Sequence, residues 1–404
     1  MWGTGASGSM QPFTDVDVLD LTQSIAGPAC TQRLATLGAN VVKVEPPGGD
    51  AFRDLIGGSM FATFNTDGKR SLAVDLKSEE GQELVQELAH SADVVVESFR
   101  PGVTEQFGLD YESVKEHNPE VVYTSVTGFG QDGPYADFPA YDPVIQAMSG
   151  LMSVIGYPDR PPVRIGASVI DCATGANAAF MTSAALHEAA RTGEGAHVDI
   201  SLFDVAAGWM GYWAAKYDET GEVATRHGTS FGGLSPNDIY HAAGDEPFYL
   251  CAVNDMLWER TARAIGREDL LEESRFETNA KRDDNDEALR EELEATFREY
   301  ERDELVDLLT DAGVPAGPRR DVAELVDEDP HVEAREMLVD VHNEQTGQPA
   351  RAVRLPVRTT DWVPEFEGET PELGEHSRAV LRERGYSEAQ IEALVEAGAV
   401  VAGE

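Results

Sequence analysis

The stretch Val16–Val44, VDVLDLTQSIAGPACTQRLATLGANVVKV, decides the fold. Alternating apolar and polar residues at Val16–Leu21 predict a strand, and Asn40–Val44 predicts a second one. Between them, Pro28–Leu37 predicts a helix with the proline near its first turn. A strand, a helix and a strand in this order form a β-α-β unit, which is typical of a parallel sheet with helices on its faces.

Further segments extend this sheet. Strands are predicted at Ser71–Asp75, Asp93–Glu97 and Val121–Val126, and a helix is predicted at Glu79–Ser91. The first half of the chain is therefore predicted to be a Rossmann-like α/β domain with an open, mostly parallel sheet. Ligands of such sheets bind outside the carboxyl ends of the strands. The loops at those ends are Thr22–Pro28, Pro46–Arg53, Ser98–Gly102 and Thr127–Tyr141.

The composition changes near Thr220. Residues 220–236 are rich in Gly, Ser, Thr and His, and Asp255–Glu328 predicts short amphipathic helices. We therefore expect a smaller α+β domain over residues 220–329. A strand-like run at Ala352–Val357 and a helical pair at Ser377–Ala397 are expected to return to the large domain, which then comprises residues 13–219 and 330–404.

Residues 1–12 are expected to form a flexible leader. Gly3, Gly5 and Gly8 spell G-x-G-x-x-G, the glycine pattern of dinucleotide-binding sites. That pattern binds phosphate between a strand and a helix, whereas these glycines precede the first predicted strand. No dinucleotide site is therefore predicted.

Acidic residues dominate the charge of the chain. Its 404 residues include 74 Asp and Glu against 31 Lys and Arg, which gives a formal net charge of −43. Nucleic acid is excluded as a partner class, because its binding requires clustered Lys and Arg. The acids are spread along the chain, as in halophilic cytoplasmic proteins. Their repulsion is screened when the Debye length falls to about 3 Å in molar salt.

Three cysteines, Cys30, Cys172 and Cys251, make an odd number in a long chain, which favours a reduced cytoplasm. No apolar run reaches the roughly 18 residues of a membrane helix, and no signal-peptide pattern occurs at the N-terminus. We therefore expect a cytoplasmic protein with no membrane partner and no metal site. Cys172 is a poor candidate nucleophile, since no base or cation nearby in sequence would hold a thiolate.

Asp171 is the most informative single residue. It follows a short apolar run and opens the Ala-rich segment Ala173–Ala190, which predicts a packed helix. One interpretation is a helix N-cap, worth about 1 kcal/mol. The other is a nucleophile, because the helix dipole favours an ionised carboxylate and such a group can attack an acyl carbon. These residues alone leave both open.

Short motifs occur in order from about Val16 to Val400. They are Ala26–Pro28, Leu37–Glu45, Gly49–Asp50 with Arg53, Lys69–Ser71, Glu97–Gly102, Gly128–Tyr135, Tyr141–Asp142, the residues from Asp171 to Gly175, and Gly374–His376. This ordered set resembles the family III CoA-transferases, which include formyl-CoA transferase, carnitine CoA-transferase and alpha-methylacyl-CoA racemase. The resemblance implies a large Rossmann-like domain, a smaller α+β domain and a homodimer of interlocked chains.

The resemblance assigns Asp171, in Ile170-Asp171-x-x-x-Gly175, as the nucleophile. It implies attack on a CoA thioester to give a mixed anhydride, attack of the released thiolate to give an aspartyl-CoA thioester, and the reverse steps with an acceptor acid. It also implies that Gly232 and Gly233, in the loop Ser230–Leu234, donate N–H groups to the oxyanion. An ordinary turn is the alternative for that loop.

The resemblance also implies a coenzyme A site, for which phosphates call for cations and helix N-termini. Ser24, Ile25, Ala26 and Gly27 would line the pantetheine arm, Ser98 would belong to the opposite loop, and Val74 and Phe99 would lie near the adenine or the arm. Phosphate partners would be Lys77, Arg53 and Arg100. Lys77 is alternatively a solvated side chain, and Arg53 alternatively pairs with Asp50 or Asp54. Some relatives carry glutamine at Ile25.

One departure separates transferase from racemase. Racemases of this family pair the aspartate with a histidine, at a place that matches Tyr141 here. A phenol with a pKa near about 10 is a poor second base at neutral pH, which favours transfer. His227, in a glycine-containing loop, either meets an acceptor or is simply exposed.

Haloarchaeal members of the family imply succinyl-CoA as donor and mesaconate as acceptor, as part of acetate assimilation through the methylaspartate cycle. A dicarboxylate calls for a cation at its distal end, for which Arg164 and Arg226 are candidates. The alternatives are racemisation, another acceptor of the formyl-CoA or carnitine type, and a non-catalytic CoA-binding protein. CoA thioesters are expected as substrates, with no permanently bound cofactor.

Overall fold

The computed structural model describes residues 11–66, 68–343, 348–357, 359 and 369–403. The predicted leader motif at Gly3–Gly8 lies outside them. In chain order the strands are β1 (Asp17–Leu21), β2 (Asn40–Glu45), β3 (Arg70–Val74), β4 (Val94–Glu97), β5 (Val122–Thr127), β6 (Ala196–Ser201), β7 (Asn237–His241), β8 (Pro247–Cys251), β9 (Ala316–Pro318), β10 (Leu338–Asn343), β11 (Gln348–Val353) and β12 (Val400–Val401).

Helices connect these strands. In chain order they are α1 (Ala26–Thr36), α2 (Ser59–Phe64), α3 (Glu79–Ser91), α4 (Tyr111–His117), α5 (Asp142–Met148), α6 (Val169–Thr192), α7 (Leu202–Trp209), α8 (Gly211–Thr220), α9 (Asp255–Ala264), α10 (Asn279–Asp284), α11 (Asp286–Phe297), α12 (Arg302–Asp311), α13 (Val322–Asp327), α14 (Pro330–Ala334), α15 (Ser377–Glu383) and α16 (Glu388–Glu396). None of the described helices is long and apolar enough to cross a membrane.

The described residues form two compact units. The first comprises residues up to Leu151, Ile165–Tyr212 and residues from Val332 onward, and the second comprises Met152–Arg164 and Trp213–His331. The first unit is thus discontinuous in sequence. Residues 152–164, which the sequence-based boundaries placed in the large domain, belong to the second unit.

A seven-stranded sheet forms the centre of the first unit. Its order is β12-β3-β2-β1-β4-β5-β6, and every pair is parallel except β12 with β3. The predicted open α/β sheet is confirmed, including its β1-α1-β2 start. The order reverses between β1 and β4, which creates the crevice where doubly wound sheets bind ligands.

The central strands are buried on both faces. Every residue of β4 and β5 is buried, as expected for parallel strands covered by helices on each side. On one face Leu84, Val85 and Leu88 of α3 pack in helical spacing against this sheet.

Two strands of the seven-stranded sheet, β6 and β12, and strands β7 to β10 outside it were not predicted from the sequence. β6 alternates with polar residues beside a long helix, and β12 has only two residues. The predicted strand at Ala352–Val357 is shifted: β11 ends at Val353 and pairs with β10 in a separate two-stranded sheet.

The C-terminal segment packs against the sheet of the first unit. The Gly374 N–H donates to Ser71 Oγ at 3.0 Å, and Ser377 Oγ donates to the Val401 carbonyl at 2.7 Å. These bonds place α15 and β12 beside β3, at the edge of the sheet.

The second unit contains the antiparallel sheet β7-β8-β9 and five helices, α9 to α13. Its core includes Trp258, Leu293, Phe297, Leu305 and Leu309, the apolar positions that predicted amphipathic helices. The mixture of strands and helices confirms the α+β class of the smaller domain.

Candidate active site

The loops that follow β1 and β4 meet at the reversal of strand order. The backbone N–H of Gln23 donates to Ser98 Oγ at 2.9 Å and so joins them. A cavity of about 410 Å³ opens there. It is lined by Gln23, Ser24, Ala26, Gly27, Ser98, Phe99, Arg100, Pro101, Val103, Val126, Thr127, Gly128, Ala136, Phe138, Pro139, Ala140, Tyr141, Asp171 and Leu202.

Asp171 reaches this cavity from the first turn of α6. Four residues later on the same helix face is Gly175, where a Cβ would lie 2.6 Å from the Ala26 carbonyl oxygen and 2.7 Å from Ala29 Cβ. Only glycine therefore lets α6 approach α1 so closely. The D-x-x-x-G spacing thus brings the Asp171 carboxylate beside the start of α1.

The capping interpretation of Asp171 is wrong. The helix begins at Val169, and Ser168 is its N-cap residue without a side-chain bond. The capping group comes instead from α5: Asp142 Oδ2 accepts from the N–H groups of Ile170 at 2.8 Å and Asp171 at 3.3 Å. A carboxylate distant in sequence satisfies the helix end, and Asp171 does not.

The expectation that the helix N-terminus keeps Asp171 ionised is also wrong. Burial, and then the charge of Asp142, raise the pKa of Asp171 to about 7. Asp142 is itself fully enclosed and accepts a hydrogen bond from Gln146 one turn along α5. No group of the described residues donates a hydrogen bond to the Asp171 carboxylate, so its oxygens are free to react.

The loop between β1 and α1 is held by a buried ion cluster. Asp20 accepts from Thr22 Oγ1 at 2.5 Å and Thr31 Oγ1 at 2.6 Å, and Lys69 Nζ lies 3.4 Å away. Lys43 Nζ donates to the Thr22 carbonyl at 2.8 Å. Burial opposes ionisation, but the two lysines and the hydroxyls lower the pKa of Asp20 to about 2.

Four loop residues were predicted to line the pantetheine arm. Ser24, Ala26 and Gly27 line the cavity, and Ser24 has a left-handed backbone with φ of 66°. Ile25 does not: its side chain is 4% exposed and is absent from the cavity wall. The side chain of Ile25 therefore belongs to the core.

A second cavity of about 160 Å³ lies at the ends of β1, β2 and β3. Val74, Lys77 and Phe99 line it, which brings together three residues predicted near the adenine and a phosphate. Gln23 and Phe99 line both cavities, so the two share a wall.

The predicted phosphate partners differ in their surroundings. Arg100 is exposed at the rim of the larger cavity. Arg53 is engaged: its guanidinium donates to Glu45 Oε2 at 2.7 Å and Oε1 at 2.6 Å and to the Pro371 carbonyl at 3.0 Å. Glu45 is its partner, and neither Asp50 nor Asp54 is. A phosphate at Arg53 would have to displace these bonds.

Tyr141 is the residue that the resemblance matches to the histidine of racemases. It is 64% exposed and lines the cavity, and no histidine of the described chain does so. Cys172 lies next to Asp171, but burial and the charges of Asp171 and Asp142 raise the pKa of its thiol. Neither side chain offers a second base or a thiolate.

The remaining predicted residues lie in or at the edge of the second unit. Gly232 and Gly233 both have positive φ, the Gly232 N–H donates to Ser230 Oγ at 3.0 Å, and the Gly233 carbonyl accepts from Asn279 at 2.9 Å. His227 packs its ring against Gly232.

Two arginines were predicted to bind an acceptor carboxylate. Arg226 donates to the carbonyls of Tyr157, Pro158 and Arg160, at 3.1 to 3.3 Å. It thereby holds a loop of the second unit. Neither Arg164 nor Arg226 is among the residues that line the larger cavity.

Comparison with known proteins decides the family. The profile of CoA-transferase family III matches residues 13–377. The chain belongs to the family III CoA-transferases. This CoA-transferase is 38% identical to acetyl-CoA:oxalate CoA-transferase of Acetobacter aceti, over 81% of this chain and 85% of the relative. It is 37% identical to succinyl-CoA:mesaconate CoA-transferase of Haloarcula hispanica, over 93% and 97%.

A solved structure agrees with the CoA-transferase fold. A CAIB/BAIF family protein from Brucella suis superposes with a TM-score of 0.82 at 37% identity, over 92% of this chain and 99% of that protein. The described part of this CoA-transferase contains no cluster of three His, Cys, Asp or Glu side chains able to hold a metal.

Two residues of the site were missed by sequence reasoning. Asp142 was noted only within a motif, and Gln23 only within a loop. Asp142 is 29 positions from the backbone it caps, so no local pattern reveals the contact. Gln23 lies two residues after β1 at the strand-order reversal, and that position is the signal that identifies it.

Proposed function

We propose that this CoA-transferase carries the acyl group and then CoA on Asp171, with succinyl-CoA as donor and mesaconate as acceptor. The observation that supports it best is the Asp171 carboxylate. It lies in the cavity at the strand-order reversal, beside the start of α1, with its oxygens unbonded. A carboxylate in that setting suits covalent catalysis more than structural pairing.

The proposed reaction proceeds in four acyl transfers. An Asp171 oxygen attacks the thioester carbon, the C–S bond breaks, and a succinyl-aspartyl anhydride and CoA thiolate result. The thiolate attacks the Asp171 carbonyl carbon and releases succinate, leaving an aspartyl-CoA thioester. The mesaconate carboxylate attacks that carbon and releases the thiolate. The thiolate finally attacks the mesaconyl carbon, which frees Asp171 as a carboxylate.

Asp142 gives this nucleophile its properties. It occupies the N–H groups at the start of α6, so the Asp171 carboxylate does not turn back to cap its own helix. Its charge adds to burial in raising the pKa of Asp171, which makes the carboxylate oxygens more basic. A more basic oxygen is the better nucleophile once it is ionised.

Oxyanion stabilisation and substrate contacts complete the proposal. The glycine loop at Gly232 and Gly233 is proposed to supply N–H donors, with Gly233 favoured because the Gly232 N–H is already bonded to Ser230. Val74, Lys77 and Phe99 are proposed to contact coenzyme A at the second cavity, and Arg100 its phosphates. The active enzyme is proposed to be a cytoplasmic homodimer.

The choice of mesaconate as acceptor is based on the composition of the chain together with its similarity to known relatives. Two relatives of nearly equal identity act, by their names, on oxalate and mesaconate, so identity alone does not select the acid. The net charge of −43 is typical of a halophilic protein, and the relative named for mesaconate comes from Haloarcula. The two observations together favour mesaconate as the acceptor.

The test incubates the enzyme with succinyl-CoA and one acid at a time, mesaconate, oxalate or acetate, in molar KCl, and identifies new thioesters by mass. Mesaconyl-CoA should form fastest. Faster exchange with another acid would overturn the acceptor, and no exchange with any acid would overturn the reaction.

A further inference from the structure

A second buried carboxylate lies behind the cavity wall. Glu97 ends β4 and is 2% exposed. Its Oε2 accepts from the backbone N–H of Phe99 at 2.7 Å. Phe99 faces both cavities, and its neighbour Ser98 accepts the hydrogen bond from Gln23. The buried Glu97 carboxylate therefore fixes the loop after β4 at the point where it contacts the loop after β1.

Two polar side chains lie beside Glu97 across the sheet. Ser125 on β5 is the register partner of Glu97, and its hydroxyl favours the ionised carboxylate. Ser125 Oγ in turn lies 3.0 Å from His197 Nε2 on β6. The His197 ring stacks on Tyr111 at 4.9 Å and meets the edge of Tyr123. Burial lowers the pKa of His197, which favours the neutral ring.

We propose that Glu97 is a positioning residue for the CoA thioester: its ionised carboxylate, supported by Ser125 and His197, fixes the Phe99 backbone and with it the Ser98–Arg100 wall. The inference rests on the proposed function, because it assumes that this cavity binds the thioester. Glu97 itself does not line either cavity and does not touch the substrate.

The arrangement makes thioester binding depend on pH. Burial raises the pKa of Glu97 to about 7, although the Phe99 N–H and the Ser125 hydroxyl favour the ionised form, and Asp199 and Glu105 add repulsion. The other titratable groups on the adjacent strands are Asp17 and Asp20 on β1 and Tyr123 on β5, and His197 lies one strand further, on β6. A protonated carboxyl is a weaker acceptor for the Phe99 N–H, so binding should weaken as pH falls through about 7.

The test measures binding without turnover. In an Asp171→Ala background the dissociation constant of succinyl-CoA is measured by calorimetry in molar KCl between about pH 5.5 and 8.5. The single variant should bind about three- to tenfold more weakly at the acid end, the difference expected between a charge-assisted and a neutral hydrogen bond. Adding Glu97→Gln should give the weak value throughout, apart from the titration of the ligand's own phosphates.

Two further variants make the outcome decisive. Ser125→Ala removes a hydroxyl that favours the ionised Glu97 carboxylate, so the midpoint should move to higher pH while binding at the alkaline end stays tight. Glu105 is an exposed carboxylate near the same cluster, so Glu105→Gln should leave the affinity for succinyl-CoA at the alkaline end unchanged. Equal pH dependence with and without Glu97→Gln would overturn the inference. Exchange by the wild type is measured separately, so failure of the proposed function is distinguishable.

Discussion

At the scale of single residues, the site depends on two neighbouring carboxylates with different tasks. Asp142 is enclosed and hydrogen-bonded to the start of α6, and Asp171 is half-buried and unbonded. Environments that separate two like groups in this way are typical of catalytic pairs. The sequence identified Asp171 through the family resemblance of the Ile170–Gly175 motif, but not Asp142, whose contact arises only in the folded chain.

The rate should report the ionisation of Asp171. Because burial and Asp142 raise its pKa to about 7, kcat should rise with pH and reach half its maximum near 7. Asp142→Asn removes the repelling charge, so the acid limb of kcat should move to lower pH. Rate profiles of both proteins check this. An unmoved limb would show that burial alone sets the pKa.

Asp171 should lower stability where it is ionised. Its pKa in the folded protein lies above the value of 3.8 for a free side chain. Below pH 3.8 the group is protonated in both the folded and the unfolded state and costs no stability. Stability is lost as the pH rises from there towards about 7, because the unfolded chain ionises this group more readily. Asp171→Asn should therefore raise the unfolding temperature at pH 8 but change it little at pH 4. Calorimetric scans at both pH values make the comparison. An equal effect at both would contradict the raised pKa.

At the scale of elements, the close packing of α6 on α1 places the nucleophile. The sequence predicted α1 and its flanking strands from periodicity, because those elements are regular and buried. It did not predict β6, which follows closely on the long helix α6, nor which loops would meet. The strand order brings Gln23 and Ser98 together, and strand order is a property of the assembled sheet.

Gly175→Ala tests the helix contact. Alanine normally stabilises a helix interior by about 1 kcal/mol over glycine. Here the added Cβ meets the Ala26 carbonyl at 2.6 Å, so we expect a net loss of about 1–3 kcal/mol and a lower kcat. Urea unfolding and exchange assays measure both quantities.

Gly208→Ala is the matched control for that substitution. Gly208 lies in α7 with nothing within 4 Å of the added Cβ, so this change should be neutral or stabilising. Equal stability changes for the two substitutions would contradict the role given to Gly175.

At the scale of the whole molecule, charge and domain division dominate. The acidic excess was evident from the sequence, and the discontinuous first unit was expected from the C-terminal segment. The assignment of residues 152–164 to the second unit was not expected, because the bridge between Gly156 and Gly228 joins segments that are far apart in the chain.

Salt should stabilise the protein strongly. At a net charge of −43, raising KCl from 0.1 M to 1 M shortens the Debye length from about 10 Å to about 3 Å and screens the repulsion. We expect the unfolding temperature and kcat to rise together over this range. Thermal scans and assays in KCl check it, and equal values at both concentrations would contradict a halophilic protein.

The central claim is that Asp171 carries CoA covalently, and mass spectrometry of the enzyme quenched during turnover tests it most directly. The enzyme is mixed with succinyl-CoA, treated with hydroxylamine or left untreated, and digested. The account predicts a CoA thioester on the peptide that contains Asp171, converted by hydroxylamine to a hydroxamate and absent from Asp171→Asn. Full exchange activity in Asp171→Asn, or the same adduct on another residue, would contradict it.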